Sequence, residues 1–210
     1  VYDNVVEDCD TGIYAGTIHV WVAKNVVRRC RTGIDAYSVG GVSVLENVVS
    51  DIAYGGITAG EDGLDIRDNL VIRCGMDGIQ FYGGGTVSGN TSALNGHSGI
   101  LAWNYDASGI YIQRNIAYKN TLFGINWWEL RISAFESCNN WFDNQAGAVF
   151  GRPLTGGDLS VDPLFCDPDS GDFHMDSASP LADWPGCGQI GALGVNSGPT
   201  ATLVQRFAAG

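Results

Sequence analysis

Aromatic residues recur at one position of a phrase that the chain repeats. The phrase is a Gly-Ile pair followed by alternating residues, as in "GIDAY", "GIQFY", "GILAW" and "GINWW". If each Ile points inward, the third residue after it points outward, because strand side chains alternate between faces. Those outward positions are Gly16, Tyr37, Gly60, Tyr82, Trp103 and Trp128.

Such a column could hold a sugar, since flat aromatic rings stack on sugar rings and neighbouring amides bond hydroxyl groups. The alternative is that the aromatic residues pack against another domain or subunit. The predicted ligand-binding residues are Tyr37, Tyr82, Trp103, Trp128, Gln80, Asn104 and Asn126.

Acid–base chemistry has candidates near the same positions, but none of them lies in a recognisable catalytic motif. A lyase needs a base near a neutralised carboxylate, and a glycosidase needs two carboxyl groups at a suitable separation. His97, within "GHSG", is more typical of a turn residue than of a catalytic base. The candidates are Asp77, His97, Tyr105, Asp106, Glu129 and Arg131.

Calcium is a possible cofactor at "GEDGLDIRD", where Glu61, Asp62, Asp65 and Asp68 supply carboxylates. The alternative interpretation is a solvated turn, which we prefer. Zinc is not expected, because no Cys-x-x-Cys pair occurs and the cysteines are scattered. The sequence predicts no other cofactor.

The elements that position these residues are internal repeats. The phrase "NVVEDCDTGI" at Asn4 returns as "NVVRRCRTGI" at Asn25, and further copies bring the total to seven. Their asparagines follow one another at 21 to 25 residues, and a fixed period of this length is typical of a solenoid. These asparagines are Asn4, Asn25, Asn47, Asn69, Asn90, Asn115 and Asn140.

The composition favours strands over helices in each repeat. A leucine-rich repeat needs several spaced leucines, whereas this chain is rich in Val, Ile, Thr and aromatic residues and has 30 glycines. The predicted fold class is all-β, a parallel β-helix of about seven repeats and about two closing coils. Ile34, Ile57 and Ile79 should lie inside.

The repeat N-x-x-x-x-[C/N]-x-x-G-I resembles the repeat of the right-handed parallel β-helix proteins of the pectate-lyase-like superfamily. The resemblance covers residues 1–149 and implies the right-handed β-helix fold. The superfamily includes lyases, glycosidases, esterases, phage tailspikes and noncatalytic surface proteins, so the fold does not identify the function.

The repeated polar residues have a structural explanation. The asparagines should stack at one corner of the coils and bond one another through their amides. A second column lies five residues further on, where cysteines act as small buried hydrophobic residues. Its members are Cys9, Cys30, Ile52, Cys74, Asn95, Asn120 and Gln145, and a third column of glycines runs from Gly12 to Gly147.

The last third of the chain departs from the period. Residues 150–194 resemble the closing segment of secreted bacterial β-helix proteins, with "DPLF", "GDF", a Ser-Pro turn and a final "IGA". They are predicted to form closing coils or a cap. Cys166 and Cys187 could form a disulfide there, and residues 195–210 are predicted to be a tail or linker to a further segment.

Charge restricts the partners. The formal net charge is -12, with 11 basic and 23 acidic residues, which disfavours nucleic acid. It also disfavours a polyuronate unless calcium neutralises the carboxylates. No apolar run approaches the length of a membrane span. Because Asn4 already belongs to a full repeat, we expect another chain or further residues to cover that end.

These patterns predict an exported, extracellular or cell-surface protein, bacterial by resemblance, that binds polysaccharide through its outer aromatic column. The first alternative is a polysaccharide lyase or glycoside hydrolase. The second is a noncatalytic structural or assembly module. Paired acid–base groups would favour the enzyme. An open aromatic surface would favour the carbohydrate-binding protein, and large apolar contacts between chains would favour the assembly module.

Overall fold

The chain is a right-handed parallel β-solenoid whose coils each contribute one strand to each of three parallel sheets. The computed structural model describes residues 1–103, 108–128 and 133–195. Sheet one has the strand order β1-β4-β7-β10-β13-β16-β19. Its strands are β1 Val5–Glu7, β4 Val26–Arg28, β7 Val48–Ser50, β10 Leu70–Ile72, β13 Thr91–Ala93, β16 Ile116–Tyr118 and β19 Asn140–Phe142.

Sheets two and three complete each coil. Sheet two contains β2 Thr11–Gly16, β5 Thr32–Tyr37, β8 Ile57–Gly60, β11 Ile79–Tyr82, β14 Ile100–Ala102, β17 Phe123–Trp127 and β20 Gly147–Phe150. Sheet three contains β3 Val20–Ala23, β6 Val42–Leu45, β9 Leu64–Arg67, β12 Gly85–Ser88, β15 Ser108–Gln113 and β18 Ser133–Ser137. The prediction of an all-β solenoid is therefore confirmed.

The core is a set of aligned apolar columns. Ile34, Ile57 and Ile79 occupy one column and are fully buried, as the sequence predicts. Two residues further along sheet two, Ala36 and Phe81 also point inward. Because the strands pair in register, each inward side chain packs against its equivalents in the coils above and below.

Every coil bends sharply on both sides of sheet one, through a residue with positive φ. The residues before sheet one are Asp3, Lys24, Glu46, Asp68, Gly89, Arg114 and Cys138, with φ between 53° and 65°. The residues after it are Asp8, Arg29, Asp51, Arg73, Leu94, Lys119 and Asp143, with φ between 50° and 58°. Such a conformation is costly for a residue with a Cβ and requires support from its surroundings.

The asparagine that follows the first bend provides this support. In Asn25, Nδ2 donates to the carbonyl of Ala23, two residues back, and so closes the bend around Lys24. Asn69 and Asn90 repeat this bond to Arg67 and Ser88. Between coils, the backbone N–H and Nδ2 of each asparagine donate to Oδ1 of the next, at 2.9–3.1 Å.

The seventh repeat departs from its predicted alignment by one residue. Asn115 bonds Asn139, not Asn140, and Asn140 instead occupies the strand position of Ile116. For the same reason Asn144, not Gln145, continues the second column, and Ala148, not Gly147, continues the glycine column. The ladder ends on Asp158, whose Oδ1 accepts both hydrogen bonds from Asn139.

The C-terminal segment adds one partial coil and then folds back along the outside of the solenoid. Leu159 bridges to Asn140, which extends the stack. Beyond it, β21 Phe165–Asp167 and β22 Asp172–Met175 form an antiparallel pair, with short 3-10 helices at Pro168–Ser170 and Pro180–Ala182. Phe173, Met175, Leu181, Ile190 and Leu193 pack on the outer face of sheet one.

A disulfide fastens this returning segment to the solenoid. Cys187 is bonded to Cys138, with a Cα–Cα distance of 5.9 Å. The predicted Cys166–Cys187 pair is wrong: Cys166 is exposed in β21, and Cys187 lies beside the bend that precedes β19. The pairing depends on where the segment returns, which the spacing of the cysteines does not encode.

The far end of the core is closed by a buried ion pair. Glu136 points inward, in register with Ile112, and its side chain is 1% exposed. Arg152 bonds Glu136 at 2.8 Å and lies 3.9 Å from the centre of the Trp127 ring. At the opposite end, β1 to β3 are edge strands, and the expectation that another chain covers them stays a prediction. None of the described segments contains a helix long and apolar enough to cross a membrane.

Replacing Asn47 by Ala tests the ladder. The change leaves the buried N–H of Asn25 without a partner and removes the amide that donates to the carbonyl of Val22. We expect the free energy of unfolding in urea to fall by about 2–4 kcal/mol, since each unsatisfied buried group costs about 1–3 kcal/mol. The control is Asn4→Ala at the exposed end, which should cost less than about 1 kcal/mol. Equal losses in the two variants would contradict the ladder's role.

Replacing Cys187 by Ser tests the covalent fastening. The bond closes a loop with a sequence separation of 49 residues, and its removal should lower the free energy of unfolding by about 2–4 kcal/mol. Cys166→Ser, at an exposed thiol, is the control and should change it by less than about 0.5 kcal/mol. A Cys187 variant as stable as the control would mean that the apolar contacts alone hold the segment.

Candidate functional site

The outer face of sheet two carries the predicted binding residues in two aligned columns. The first column contains Tyr14, Asp35, Thr58, Gln80, Leu101 and Asn126. The second contains Gly16, Tyr37, Gly60, Tyr82, Trp103 and Trp128. This face is not covered by the C-terminal segment, which packs on sheet one.

Three rings of the second column form a stack along the solenoid axis. The ring centroids of Trp103 and Trp128 are 5.2 Å apart with 22° between the planes, and those of Tyr82 and Trp103 are 6.0 Å apart with 39°. At 5.2 Å, the indoles of Trp103 and Trp128 must overlap face to face. The three rings therefore form a stack and not one flat surface, because the coil spacing is close to a stacking distance.

Gly60 contributes no side chain to this column, and the ring of Tyr37 extends over Gly60. A Cβ placed on Gly60 would lie 2.4 Å from Cδ1 of Tyr37, so the missing side chain is what admits the tyrosine ring. Tyr14 leans over Gly16 in the same way, with its hydroxyl 3.0 Å from a Cβ there. The two glycines therefore make room for rings from a neighbouring column or coil.

Trp128 ends the stack and has an open side. One face of its indole contacts Trp103, and the residue is 57% exposed. In the next coil Asn126 pairs with Phe150, so the equivalent of Trp128 is Arg152. The guanidinium of Arg152 turns inward over Trp127 instead, which leaves the second face of Trp128 accessible to a ligand.

Polar groups lie beside the rings. Nε2 of Gln80 donates to the hydroxyl of Tyr82, and the hydroxyl of Tyr37 bonds the carboxylate of Asp35. Burial raises the pKa of Tyr37, as do the nearby charges of Asp35 and Tyr82. Burial also raises the pKa of Asp35, while the bond to Tyr37 opposes that shift. Oδ1 of Asn126 is buried and has no hydrogen-bond partner.

Asp77 and His97 approach each other in adjacent coils, just before sheet two. Nδ1 of His97 lies 3.7 Å from Oδ2 of Asp77, while Oδ1 of Asp77 accepts the backbone N–H of Ser98 at 3.0 Å. Burial raises the pKa of the Asp77 carboxyl, and the Ser98 N–H and the nearby His97 oppose this. The imidazole is half exposed, so an accessible base stands beside a buried carboxyl.

Five predicted site residues lie outside the described residues. They are Asn104, Tyr105, Asp106, Glu129 and Arg131. Their assignments to the site stay predictions.

The carboxylates suggested for calcium have other partners. Both oxygens of Asp65 bond Arg67, at 2.5 and 2.7 Å, and Oδ1 of Asp62 accepts the N–H of Gly84. Glu61 is exposed and has a positive φ. Within residues 1–103, 108–128 and 133–195, no three acidic, histidine or cysteine side chains converge as a metal site.

Phe150 belongs to this face, although the sequence analysis missed it. It pairs with Asn126 in the first column, is 50% exposed and lies with its ring centroid 5.0 Å from that of Phe123. Placing Ala148 in the glycine column would have predicted this, because Val149 then points inward and Phe150 outward.

Comparison with known proteins supports the fold. The family described as "Right handed beta helix region" matches residues 33–151. A search of curated proteins finds no match. Among solved structures, a mutant of the periplasmic alginate epimerase AlgG is similar, with a TM-score of 0.52 and 18% identity. The similarity covers 77% of this chain and 49% of that one, so the chain spans about half the length of the epimerase.

Replacing Asp77 by Asn tests the electrostatics of the Asp77–His97 pair. Because its pKa is raised in the folded state, Asp77 holds its proton more tightly there than when unfolded. The free energy of unfolding should therefore fall as pH rises from about 4 through the raised pKa. Asn cannot ionise but still accepts the Ser98 N–H, so the variant should lose this decline and stay as stable at neutral pH.

Urea titrations across this pH range measure the effect. Asp62→Asn is the matched control, because Asp62 is an exposed carboxylate that also accepts a backbone N–H from the next coil. It should keep the decline seen in the parent protein. A decline that persists in the Asp77 variant would mean that another group causes it.

Proposed function

The chain belongs to the family of right-handed β-helix regions, and we propose that it binds carbohydrate on the outer face of sheet two. The observation that carries the proposal is the open side of Trp128 at the end of the aromatic stack. A large indole left 57% exposed directly after a strand of sheet two offers apolar area to a ligand.

The stacked arrangement defines where a sugar ring can lie. The faces inside the stack are occupied by neighbouring rings, so Trp103 contributes mainly its edge, while Trp128 contributes its accessible face. A pyranose on that face would lie one coil spacing beyond Trp128 and thus continue the ladder. Phe150, in the first column of that next coil, would border the same position.

The polar groups of the face suit hydroxyl ligands. Gln80 and Tyr82 offer an amide and a phenol, and Oδ1 of Asn126 is an acceptor without a partner. A hydroxyl donor that reached this oxygen would remove the cost of its burial. Since the whole chain carries a net charge of -12, a neutral polysaccharide is favoured over a polyanion.

Two further observations support this assignment. The similar solved structure is named as an alginate epimerase, and that name places its substrate among polysaccharides. The Cys138–Cys187 disulfide favours an oxidising compartment, since such bonds are rare in reducing ones. We therefore propose that the protein is exported and acts in the periplasm, outside the cell or on its surface.

A polysaccharide-degrading enzyme is the second candidate, because of the Asp77–His97 pair. In that scheme His97 takes a proton from the sugar while Asp77 orients its imidazole. Asp77 lies just before β11 and His97 just before β14, both strands of sheet two. Newly formed chain ends, measured after incubation with a bound polysaccharide, separate this candidate from binding alone.

Replacing Trp128 by Ala tests the proposal. We expect retention on the matching polysaccharide, found by affinity electrophoresis against a panel of neutral and uronate polymers, to weaken by a few-fold to about tenfold. The reason is the stacking energy of about 0.5–1.5 kcal/mol that the substitution removes. The melting temperature should change little, because an exposed ring leaves no core cavity.

The matched control is Trp21→Ala. Trp21 is 50% exposed and also stacks on an aromatic ring, Tyr2, but it lies on sheet three. Its loss should leave retention unchanged. Equal weakening in both variants, or unchanged retention in the Trp128 variant, would exclude the proposed stacking surface.

A further inference from the structure

Two cysteines in adjacent coils touch at the first corner of the solenoid. Sγ of Cys9 lies 2.7 Å from Sγ of Cys30, and both residues follow a left-handed bend at equivalent positions. In the same column Ile52 separates Cys30 from Cys74, which therefore has no cysteine in an adjacent coil. Within the described column, Cys9 and Cys30 form the one adjacent pair.

From this contact we infer that Cys9 and Cys30 are an oxidation site at which a second disulfide forms, joining the first coil to the second. The coil spacing of about 4.8 Å falls within the 4.4–6.8 Å that disulfides span between Cα atoms. The two sulfurs need to approach by only about 0.7 Å to reach bonding distance. The backbone already holds this register, since the N–H of Arg31 bonds the carbonyl of Cys9 at 2.9 Å.

The two thiols differ in solvent exposure. This difference determines which thiol reacts first with a small-molecule disulfide such as oxidised glutathione. Cys9 is partly exposed and Cys30 is 3% exposed. The Cys9 thiolate attacks the reagent and forms a mixed disulfide, releasing one thiol. Deprotonated Cys30 then attacks Sγ of Cys9, releasing the second thiol. Two protein thiols thus lose two electrons and two protons, and one disulfide is reduced to two thiols.

The surroundings of the thiols favour a slow reaction at Cys9 and none at Cys74. The hydrogen bond to Cys30 and burial raise the pKa of Cys9 to about 11, and the charges of Asp10 and Asp8 add to this. The Cys9 thiol is therefore protonated at neutral pH, so its thiolate forms rarely. Cys74 has a pKa raised to about 12 by burial and is inaccessible to the reagent.

The consequence of the bond is a covalent link between the coil that contains β1 and the coil that contains β4. Val5 in β1 is 56% exposed. The bond closes a loop of 21 residues across these coils. Loop closure of this length should slow hydrogen exchange of the β1 amides roughly a hundredfold if they exchange by local opening.

The test uses the intact chain with its Cys138–Cys187 bond. The protein is incubated with oxidised glutathione, remaining thiols are alkylated, and tryptic peptides are analysed by mass spectrometry. Trypsin cuts after Lys24 and Arg29, so the two cysteines fall on different peptides unless they are bonded. We expect one new linked pair, Cys9 with Cys30, besides Cys138 with Cys187, and we expect Cys74 to be alkylated only after unfolding. Alkylation of both Cys9 and Cys30, or glutathione remaining on Cys9, would overturn the inference.

Two variants sharpen the assignment. Cys30→Ser removes the second attack, so Cys9 should accumulate as the mixed disulfide with glutathione. Cys74→Ser should leave the linked pair unchanged. A linked peptide that contains Cys9 in the Cys30 variant would show that Cys9 forms a disulfide with another cysteine. If the Cys30 variant does not fold, the experiment on the parent protein remains decisive, because the linked peptides name both residues.

Discussion

A side-chain amide beside a left-handed bend is the interaction on which the rest of the molecule depends. Each coil must turn before sheet one, and it does so through a residue such as Lys24 or Arg114, for which positive φ is costly. The following asparagine donates to a backbone carbonyl, which lies two residues back for Asn25 and in the preceding coil for Asn115, and it bonds its equivalents above and below. The bend is thereby held in every coil at the same place, and the strands that follow start in register.

The register of the coils determines which side chains lie next to one another on the surface. Once the coils are aligned, equivalent side chains form columns about 4.8 Å apart, whether they point in or out. Inside, this spacing packs Ile on Ile; outside, it stacks Trp103 on Trp128 and leaves few ring faces exposed. A ring face then stays exposed where a column is interrupted or ends. Trp128 is such an end, because Arg152 turns away to cover the core.

The C-terminal segment makes the three outer faces unequal. It buries apolar residues of sheet one, among them Val48, Leu70 and Ile116, beneath its own Phe173 and Leu181. Sheet two keeps its rings and amides accessible, while sheet three carries separate exposed pairs such as Tyr111 and Phe135. The described part of the segment thus covers the outer face of sheet one, whereas exposed rings lie on sheets two and three.

The sequence by itself determined the period, the strand alternation and the columns, because a solenoid relates residues one coil apart by nearly constant spacing. Ile57 inside and Gln80 outside follow from that spacing alone. It could not place the seventh repeat, since Asn139 and Asn140 are chemically identical and only hydrogen bonding to Asn115 distinguishes them. Nor could it orient the rings of the outer column. The pairing of Cys187 with Cys138 was decided by tertiary structure, because it depends on where a distant segment meets the solenoid, and no local periodicity records that.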